Sequence, residues 1–112
     1  MNTLKFKLIS NNKEEINEVT NYFIKENKLM FKIKDDLFEY ELDNKYLIKK
    51  NNETIIKINL IDKVLEITLL SHNYTVDMDI IDLIIEKDKN NIKIEYTFDD
   101  GDKNTNCIFI TY

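Results

Sequence analysis

The sequence predicts an all-β protein: one antiparallel up-and-down barrel of about eight strands that occupies residues 1–112 as a single domain. Apolar and polar residues alternate at period two over most of the chain, as they do in strands with one buried face. The strand-forming residues Ile, Phe and Tyr are common, whereas proline is absent. Breaks rich in Asn and Asp separate the alternating runs about every 8–12 residues, which is the spacing typical of sandwiches and up-and-down barrels.

The alternation places the strands in order along the chain. In the first strand, Leu4, Phe6 and Leu8 lie on one face and lysines lie on the other. Short polar breaks such as residues 51–52 divide the middle of the chain into further strands. The predicted strands cover residues 4–8, 28–34, 36–43, 45–50, 55–59, 64–70, 74–80, 92–98 and 107–112.

Residues 13–26 lack this alternation and leave two interpretations open. Asn12 precedes Glu15 at the spacing of a capping box, and several apolar side chains then share one helical face. These side chains are Ile16, Val19, Phe23 and Ile24. The segment is therefore predicted to be either a helix or a further strand. The isoleucines within residues 80–85 also suit a helix turn, but β-branched residues dominate there and favour a bent strand.

The C-terminal hairpin carries the strongest local signal, because the only glycine, Gly101, follows a pair of aspartates between two apolar runs. A two-residue Asp-Gly turn would place Ile92 opposite Phe109. A three-residue loop at 99–101, with the glycine left-handed in a bulge, would place Ile92 opposite Ile108. We favour the three-residue loop because it gathers an apolar set on one face. That set is Ile92, Ile94, Ile108, Ile110 and Tyr112.

Composition and charge exclude several classes of function. The net charge is −5 and arginine is absent, so the chain lacks the cationic phosphate contacts that supply most of the affinity for nucleic acids. Lysine pairs such as Lys49 and Lys50 are interpreted as solvated strand surface. One cysteine, Cys107, cannot build a disulfide framework, and no apolar run approaches the roughly 20 residues that span a bilayer. Because no secretion signal is recognised either, we expect a cytoplasmic protein without cofactor, nucleic-acid partner or membrane partner.

The alternation in two segments also resembles that of a known family. Residues 75–112 read T-V-D-M-D-I-I-D-L-I-I-E-K-D-K-N-N-I-K-I-E-Y-T-F-D-D-G-D-K-N-T-N-C-I-F-I-T-Y and resemble the C-terminal half of the YwiB-like bacterial proteins of unknown function. The shared features are a Thr-bearing strand, an acidic stretch, an I-x-I-x-Y strand, a polar turn and an apolar last strand. Residues 21–33, N-Y-F-I-K-E-N-K-L-M-F-K-I, are similar to that family's second hairpin. The resemblance implies a calycin-type, lipocalin-like barrel and supplies no functional residues.

Residues that could support catalysis or bind a metal are few. His72 is the only histidine and Cys107 the only cysteine, so no metal site is predicted. A nucleophilic Cys107 would need His72 beside it and a third group to orient the pair, which makes an enzyme the weakest functional hypothesis. The aspartates around Gly101 lack the closing glutamate of a calcium loop and are interpreted as turn residues. Asp77 and Asp79 share a strand face that we interpret as solvated.

Aromatic side chains supply the candidate binding site. Six of them are expected to point into the barrel, where a small apolar or amphipathic molecule would bind at one end. They are Phe31, Phe38, Tyr40, Tyr46, Tyr96 and Phe98. The abundance of bulky Ile, Leu and Phe otherwise predicts a filled interior. The leading hypothesis is a non-catalytic binding protein, and the alternative is a protein-interaction module that uses the acidic C-terminal half or an unpaired strand edge. The oligomeric state is left open.

Overall fold

A computed structural model describes residues 2–112 and contains ten antiparallel strands. The predicted all-β antiparallel barrel is confirmed, and it has ten strands where the alternation indicates about eight. A single turn of 3-10 helix, Leu70–His72, joins the seventh strand to the eighth. The strands are β1 (Thr3–Ser10), β2 (Lys13–Lys25), β3 (Lys28–Ile33), β4 (Asp36–Glu41), β5 (Tyr46–Lys50), β6 (Thr54–Asn59), β7 (Val64–Leu69), β8 (Tyr74–Asp88), β9 (Asn91–Asp99) and β10 (Lys103–Thr111).

The strands follow one another around the barrel in chain order. Each pairs with its neighbours in the sequence, and β1 closes the ring by pairing with β10. The two longest strands take part in both halves of the wall. The start of β2 pairs with β1 and its end with β3, whereas the start of β8 pairs with β7 and its remainder with β9. The wall therefore consists of two curved layers, β1, β9 and β10 in one and β3 to β7 in the other, joined through β2 and β8.

The segment with two open interpretations is strand β2, so the helical interpretation is wrong. Its register with β1 shifts at Leu8 and Ile9, and the shift makes Glu15 the extra residue of a β-bulge. The bulge and the bend between layers break the alternation that marks the other strands. Val19 and Phe23, which share the predicted helical face, are 67% and 55% exposed.

The bent strand expected near residue 80 is confirmed. The β8–β9 register shifts between Ile80 and Asp82, and Ile81 is the additional residue. A bulge of this kind bends the strand and increases its local twist. The bend carries β8 from one layer to the other, so Ile80 packs in the core while Ile81 is 48% exposed.

In the described chain, asparagine supplies five of the nine residues other than glycine with positive φ, as its tolerance of left-handed backbone predicts. The two-residue β1–β2 and β2–β3 turns have positive φ at both residues, which is the geometry of type I′ hairpins. Sequence reasoning does not anticipate that lysine and glutamate share this role. The residues other than glycine with positive φ are Asn11, Asn12, Glu26, Asn27, Lys34, Asn44, Lys63, Asn73 and Lys89.

The C-terminal hairpin differs in register from both predicted forms. Ile92 lies opposite Ile110, because Asp99 pairs with Lys103 and the three-residue loop begins one position later than expected. The Asp99 carboxylate accepts a hydrogen bond from the Gly101 N–H at 2.9 Å, and this bond fixes the aspartate at the strand end. The observed partner of Ile92 is two residues away from the predicted one, Ile108. A displacement by an even number of residues keeps each side chain on its predicted face, so the predicted apolar face is correct. Ile92, Ile94, Ile108 and Ile110 are buried and Tyr112 packs against them.

The interior is filled by the inward faces of both layers. Phe6 is fully buried at its centre, with ring centroids 4.8 Å from Phe38 and 5.4 Å from Phe31. Phe31 and Phe38 stack nearly parallel at 5.0 Å. The buried apolar side chains are Leu4, Phe6, Leu29, Phe31, Ile33, Phe38, Tyr40, Leu47, Ile58, Leu60, Leu65, Ile80, Ile92, Ile94, Tyr96, Ile108 and Ile110.

The two ends of the barrel differ. We call the end with the β2–β3, β4–β5, β6–β7 and β8–β9 turns the closed end, and the opposite end the open end. At the closed end, Lys87 Nζ donates a hydrogen bond of 2.7 Å to the Leu42 carbonyl and ties β8 to the chain that follows β4. The buried Glu41 carboxylate accepts hydrogen bonds of 2.9 Å from the Asp43 N–H and from the Asn27 side chain. These contacts seal the closed end.

Candidate functional site

A cavity of about 100 Å³ lies between the two layers, toward the open end. One wall comes from β4, β5 and β6, and the other from β1, β2, β9 and β10. Its lining is mainly aliphatic and aromatic. The lining residues are Phe6, Leu8, Ile16, Phe38, Leu47, Lys49, Ile56, Ile58, Tyr96, Asn106 and Ile108.

Lys49 is the charged residue of the lining. It pairs with Phe38 across β4 and β5, so the ladder directs its side chain to the inner face and not outward. The Lys49 ammonium lies 3.6 Å from an Asp36 carboxylate oxygen. Asn51 donates a hydrogen bond of 2.9 Å to the other oxygen of Asp36 and so fixes the acid beside the lysine. The interpretation as solvated strand surface therefore holds for the exposed Lys50 but only in part for Lys49, whose side chain lies on the inner face and is 35% exposed.

Asn106 and Tyr96 add two neutral polar groups, and they lie opposite each other on β10 and β9. The Asn106 side-chain oxygen accepts a hydrogen bond of 2.5 Å from the Ser10 hydroxyl, which leaves the amide nitrogen to donate. Burial raises the pKa of Tyr96 to about 12, so its phenol is protonated and can donate at neutral pH. Together with the Lys49 ammonium, the cavity therefore offers three hydrogen-bond donors.

Of the six predicted aromatic residues, Phe38 and Tyr96 line the cavity. Phe31 stacks behind Phe38, and Phe98 stacks on Tyr96 with centroids 6.2 Å apart. These four residues point into the barrel as expected. They form two separate aromatic pairs, one on the wall that contains β4 and one on the wall that contains β9.

Tyr40 and Tyr46 lie apart from the cavity. Tyr40 points inward at the closed end, where its hydroxyl is hydrogen-bonded to the Asn44 side chain and burial is the main cause that raises its pKa. Tyr46 lies on the outer face, so the expectation that it points into the barrel is wrong. Its neighbour Leu47 takes the inward position. The Tyr46 hydroxyl instead donates a hydrogen bond of 2.8 Å to Glu39.

The residues considered for catalysis are not arranged for it. Cys107 pairs with Glu95 in the β9–β10 ladder and points outward, because the adjacent Ile108 points into the core. Burial is the main cause that raises the pKa of the Cys107 thiol, which disfavours the reactive thiolate. His72 lies in the β7–β8 turn, where its Nδ1 is 2.7 Å from the Ser71 hydroxyl. Among residues 2–112, no group of three or more His, Cys, Asp or Glu side chains is placed to hold a metal ion.

A larger depression of about 550 Å³ lies at the open end, between the β3–β4 and β5–β6 turns. Polar and charged residues of both signs line it, and most of them are exposed. Because their charges stay solvated and no apolar wall adjoins them, we consider this depression the weaker candidate site. Its lining residues are Lys32, Lys34, Asp35, Asp36, Asn51, Asn52 and Glu53.

Sequence reasoning identified Tyr96 but missed two other polar members of the cavity, Lys49 and Asn106. The signal that could have identified Lys49 is its position two residues after Leu47, since residues i and i+2 share a strand face. Asn106 is likewise two residues before Ile108. Within the described chain, no helix is long and apolar enough to cross a membrane. Comparison of the chain with protein-family models, curated proteins and solved structures finds no match.

Proposed function

We propose that this protein is a non-catalytic, cytoplasmic binding protein that takes a small amphipathic molecule at the open end of the barrel. The observation that carries the proposal is the cavity between the layers, where apolar walls meet the donors of Lys49, Asn106 and Tyr96. Binding sites for small molecules combine apolar walls with a few placed polar groups.

The volume of the cavity limits the part of the ligand that it can enclose. Pockets that enclose a drug-sized molecule measure about 300–1,000 Å³. A cavity of about 100 Å³ accommodates a short alkyl chain or one small ring. The remainder of a larger ligand would lie at the open end. The proposal therefore concerns molecules with one short apolar arm and one polar group.

The polarity of the lining limits the polar group of the ligand. Lys49, the Asn106 amide and the protonated Tyr96 phenol all donate hydrogen bonds, so the ligand should present acceptors. Asp36 compensates part of the charge of Lys49 at 3.6 Å. A carboxylate or a hydroxyl thus suits the site, whereas a primary ammonium group, which only donates, does not.

A nuclear magnetic resonance titration with hexanoate, 1-hexanol and hexylammonium tests the proposal. We expect the first two to shift the methyl signals of Ile56 and Ile58, and hexylammonium to leave them unchanged. Native mass spectrometry of the freshly purified protein would show whether a molecule of this class is retained. Equal shifts with all three probes, or none with any, would contradict the proposal.

A pair of variants places the binding in the cavity. Ile56→Phe fills the cavity, while Ile55→Phe makes the same change on the opposite face of β6. We expect hexanoate binding to weaken at least tenfold in the first variant and to stay within twofold of wild type in the second. Equal effects would place the binding elsewhere. The YwiB-like resemblance stays a prediction and contributes no residue role.

A further inference from the structure

The first part of β8 has a free backbone edge. Residues 74–79 pair with β7 along one side, and β9 pairs with β8 only from Ile80 onward. No other strand in the described part of the chain pairs with this second side. The β9–β10 loop begins at this level, so β8 projects past it at the open end. We call residues 74–79 the β8 edge.

The hydrogen-bond pattern identifies the backbone groups that face outward from this edge. The Ile80 N–H donates to the Lys63 carbonyl at 2.9 Å, on the β7 side. Along an antiparallel strand, the backbone N–H and C=O groups of successive residues point alternately to one side of the strand and to the other. The groups of Thr75, Asp77 and Asp79 therefore point away from β7. An incoming strand could form a regular ladder with these three residues.

The inner face beside the edge is apolar and uncovered. Tyr74 is 58% exposed and Val76 is 37% exposed, although both lie on the side that faces the interior farther along β8. Leu69, opposite Tyr74 on β7, is 39% exposed. A partner strand with apolar residues at alternate positions would cover these side chains.

The outer face beside the edge is acidic. Asp77 and Asp79 point outward, and Glu66 lies opposite Asp77 on β7. Residues 64–112 contain 4 lysines and 10 acidic residues, a net charge of −6. The same partner strand would therefore carry its basic residues on this face. Opposite charges in neighbouring cross-strand positions stabilise a sheet and like charges destabilise it.

We propose that the β8 edge binds an extended segment of a partner protein in which apolar and basic residues alternate, by adding that segment as a strand to the barrel wall. Backbone hydrogen bonds supply affinity in this mode of recognition and alternate side chains supply specificity. The site is separate from the cavity and does not depend on its ligand.

The charges argue against a second copy of this chain as the occupant. Two β8 edges would bring Asp77 and Asp79 of both copies together. The start of β2 pairs only with β1, and it carries Glu14, Glu15 and Glu18 against one lysine, Lys13. Either pairing would therefore place acidic residues beside acidic residues, which a basic partner strand avoids.

Two blocked hexapeptides test the proposal, one of alternating valine and lysine and one of alternating valine and glutamate. We expect the lysine peptide to bind and to slow hydrogen exchange of the Thr75, Asp77 and Asp79 amides. The glutamate peptide should bind at least tenfold more weakly. Absence of binding by the lysine peptide, or equal binding by the two, would overturn the proposal.

Two variants distinguish the contribution of the free backbone edge to peptide binding from that of the acidic side chains. Thr75→Pro removes a donor that faces the free side, leaves the β7 ladder intact and changes no charge, so it should reduce lysine-peptide affinity at least tenfold. The double variant Asp77→Asn and Asp79→Asn should reduce the affinity several-fold. The matched control, Glu86→Gln with Glu95→Gln, removes two charges where β8 and β9 are paired and should leave affinity unchanged.

Circular dichroism and thermal unfolding establish whether each variant is folded. If Thr75→Pro does not fold, Thr75→N-methyl-threonine, introduced by chemical ligation, removes the same donor without the ring. Undiminished affinity in a folded variant that lacks this donor would overturn strand addition. A loss of affinity in the control pair equal to that in the aspartate pair would overturn recognition by the acidic face.

Discussion

Replacement of Phe6 by alanine tests the packing at the centre of the barrel. The Phe6 side chain is fully buried and its ring contacts those of Phe38 and Phe31 at centroid distances of 4.8 and 5.4 Å. Truncation of a buried phenylalanine to alanine costs about 3–5 kcal/mol. Since no solvent reaches this position, we expect Phe6→Ala to lower the free energy of unfolding by about 4 kcal/mol. That loss is a large share of the roughly 5–15 kcal/mol typical of a domain.

Urea denaturation followed by circular dichroism measures this loss. With an m-value of about 2 kcal/mol/M, the midpoint should fall by roughly 2 M. The matched control is Phe23→Ala, because Phe23 is 55% exposed on the outer face of β2. We expect this control to lose less than about 1 kcal/mol. A loss below about 1 kcal/mol for Phe6→Ala, or equal losses for both variants, would refute the assignment of Phe6 to the centre of the core.

The same substitution also enlarges the cavity, since the Phe6 ring forms part of its wall. An apolar cavity of about 150 Å³ can bind benzene, and a ligand that binds only the folded state raises stability. We therefore expect saturating benzene to raise the urea midpoint of Phe6→Ala by more than that of the wild type. An identical response in both proteins would show that the wall collapses into the space left by the ring.

Three further predictions concern polar groups and the backbone. Glu41→Ala removes a buried acceptor of three hydrogen bonds and should cost about 2–3 kcal/mol in urea denaturation, against less than about 0.5 kcal/mol for the exposed Glu18→Ala; equal costs would contradict the role of Glu41. Burial raises the pKa of Tyr96 from 10 to about 12, so its stabilising contribution is complete below pH 10 and is lost as the pH rises to 12. Between pH 10 and 12, the free energy of unfolding should therefore fall by about 2–3 kcal/mol less in Tyr96→Phe than in the wild type. Parallel pH profiles of the two proteins would contradict this. Gly101→Ala should cost about 1 kcal/mol in thermal unfolding because Gly101 has a φ of +115°, and an unchanged melting temperature would show that the loop relaxes.

Much of the fold could be predicted from the sequence, because a strand with one buried face leaves a period of two in the chain. The apolar face of the C-terminal hairpin is correct although its register is not, since any even shift preserves the faces. Strand β2 could not be assigned because it changes partners along its length and carries a bulge at Glu15. Neither feature leaves a periodic pattern in a single sequence.

The candidate site was less predictable than the fold. Phe38 and Tyr96 line the cavity, but aromatic character alone did not separate them from Tyr46 on the outer face. The charge of Lys49 and the lysine beside it predict a solvated position on the strand surface. Its inward position agrees with the strand period, because Lys49 lies two residues after the buried Leu47, and its pairing with Phe38 places it on the same face.

The order of strands around the wall affects how such a protein can change in evolution. Within residues 2–112, every connection links strands adjacent in the chain, and the contact between β1 and β10 is the single pairing of distant strands. A hairpin could therefore be gained or lost between any two turns without rerouting the rest of the chain. Barrel diameter grows with strand number, so each such event would widen or narrow the interior. Insertion of one hairpin would thus widen the nearly filled barrel interior into a larger cavity, while most of the existing strands keep their partners.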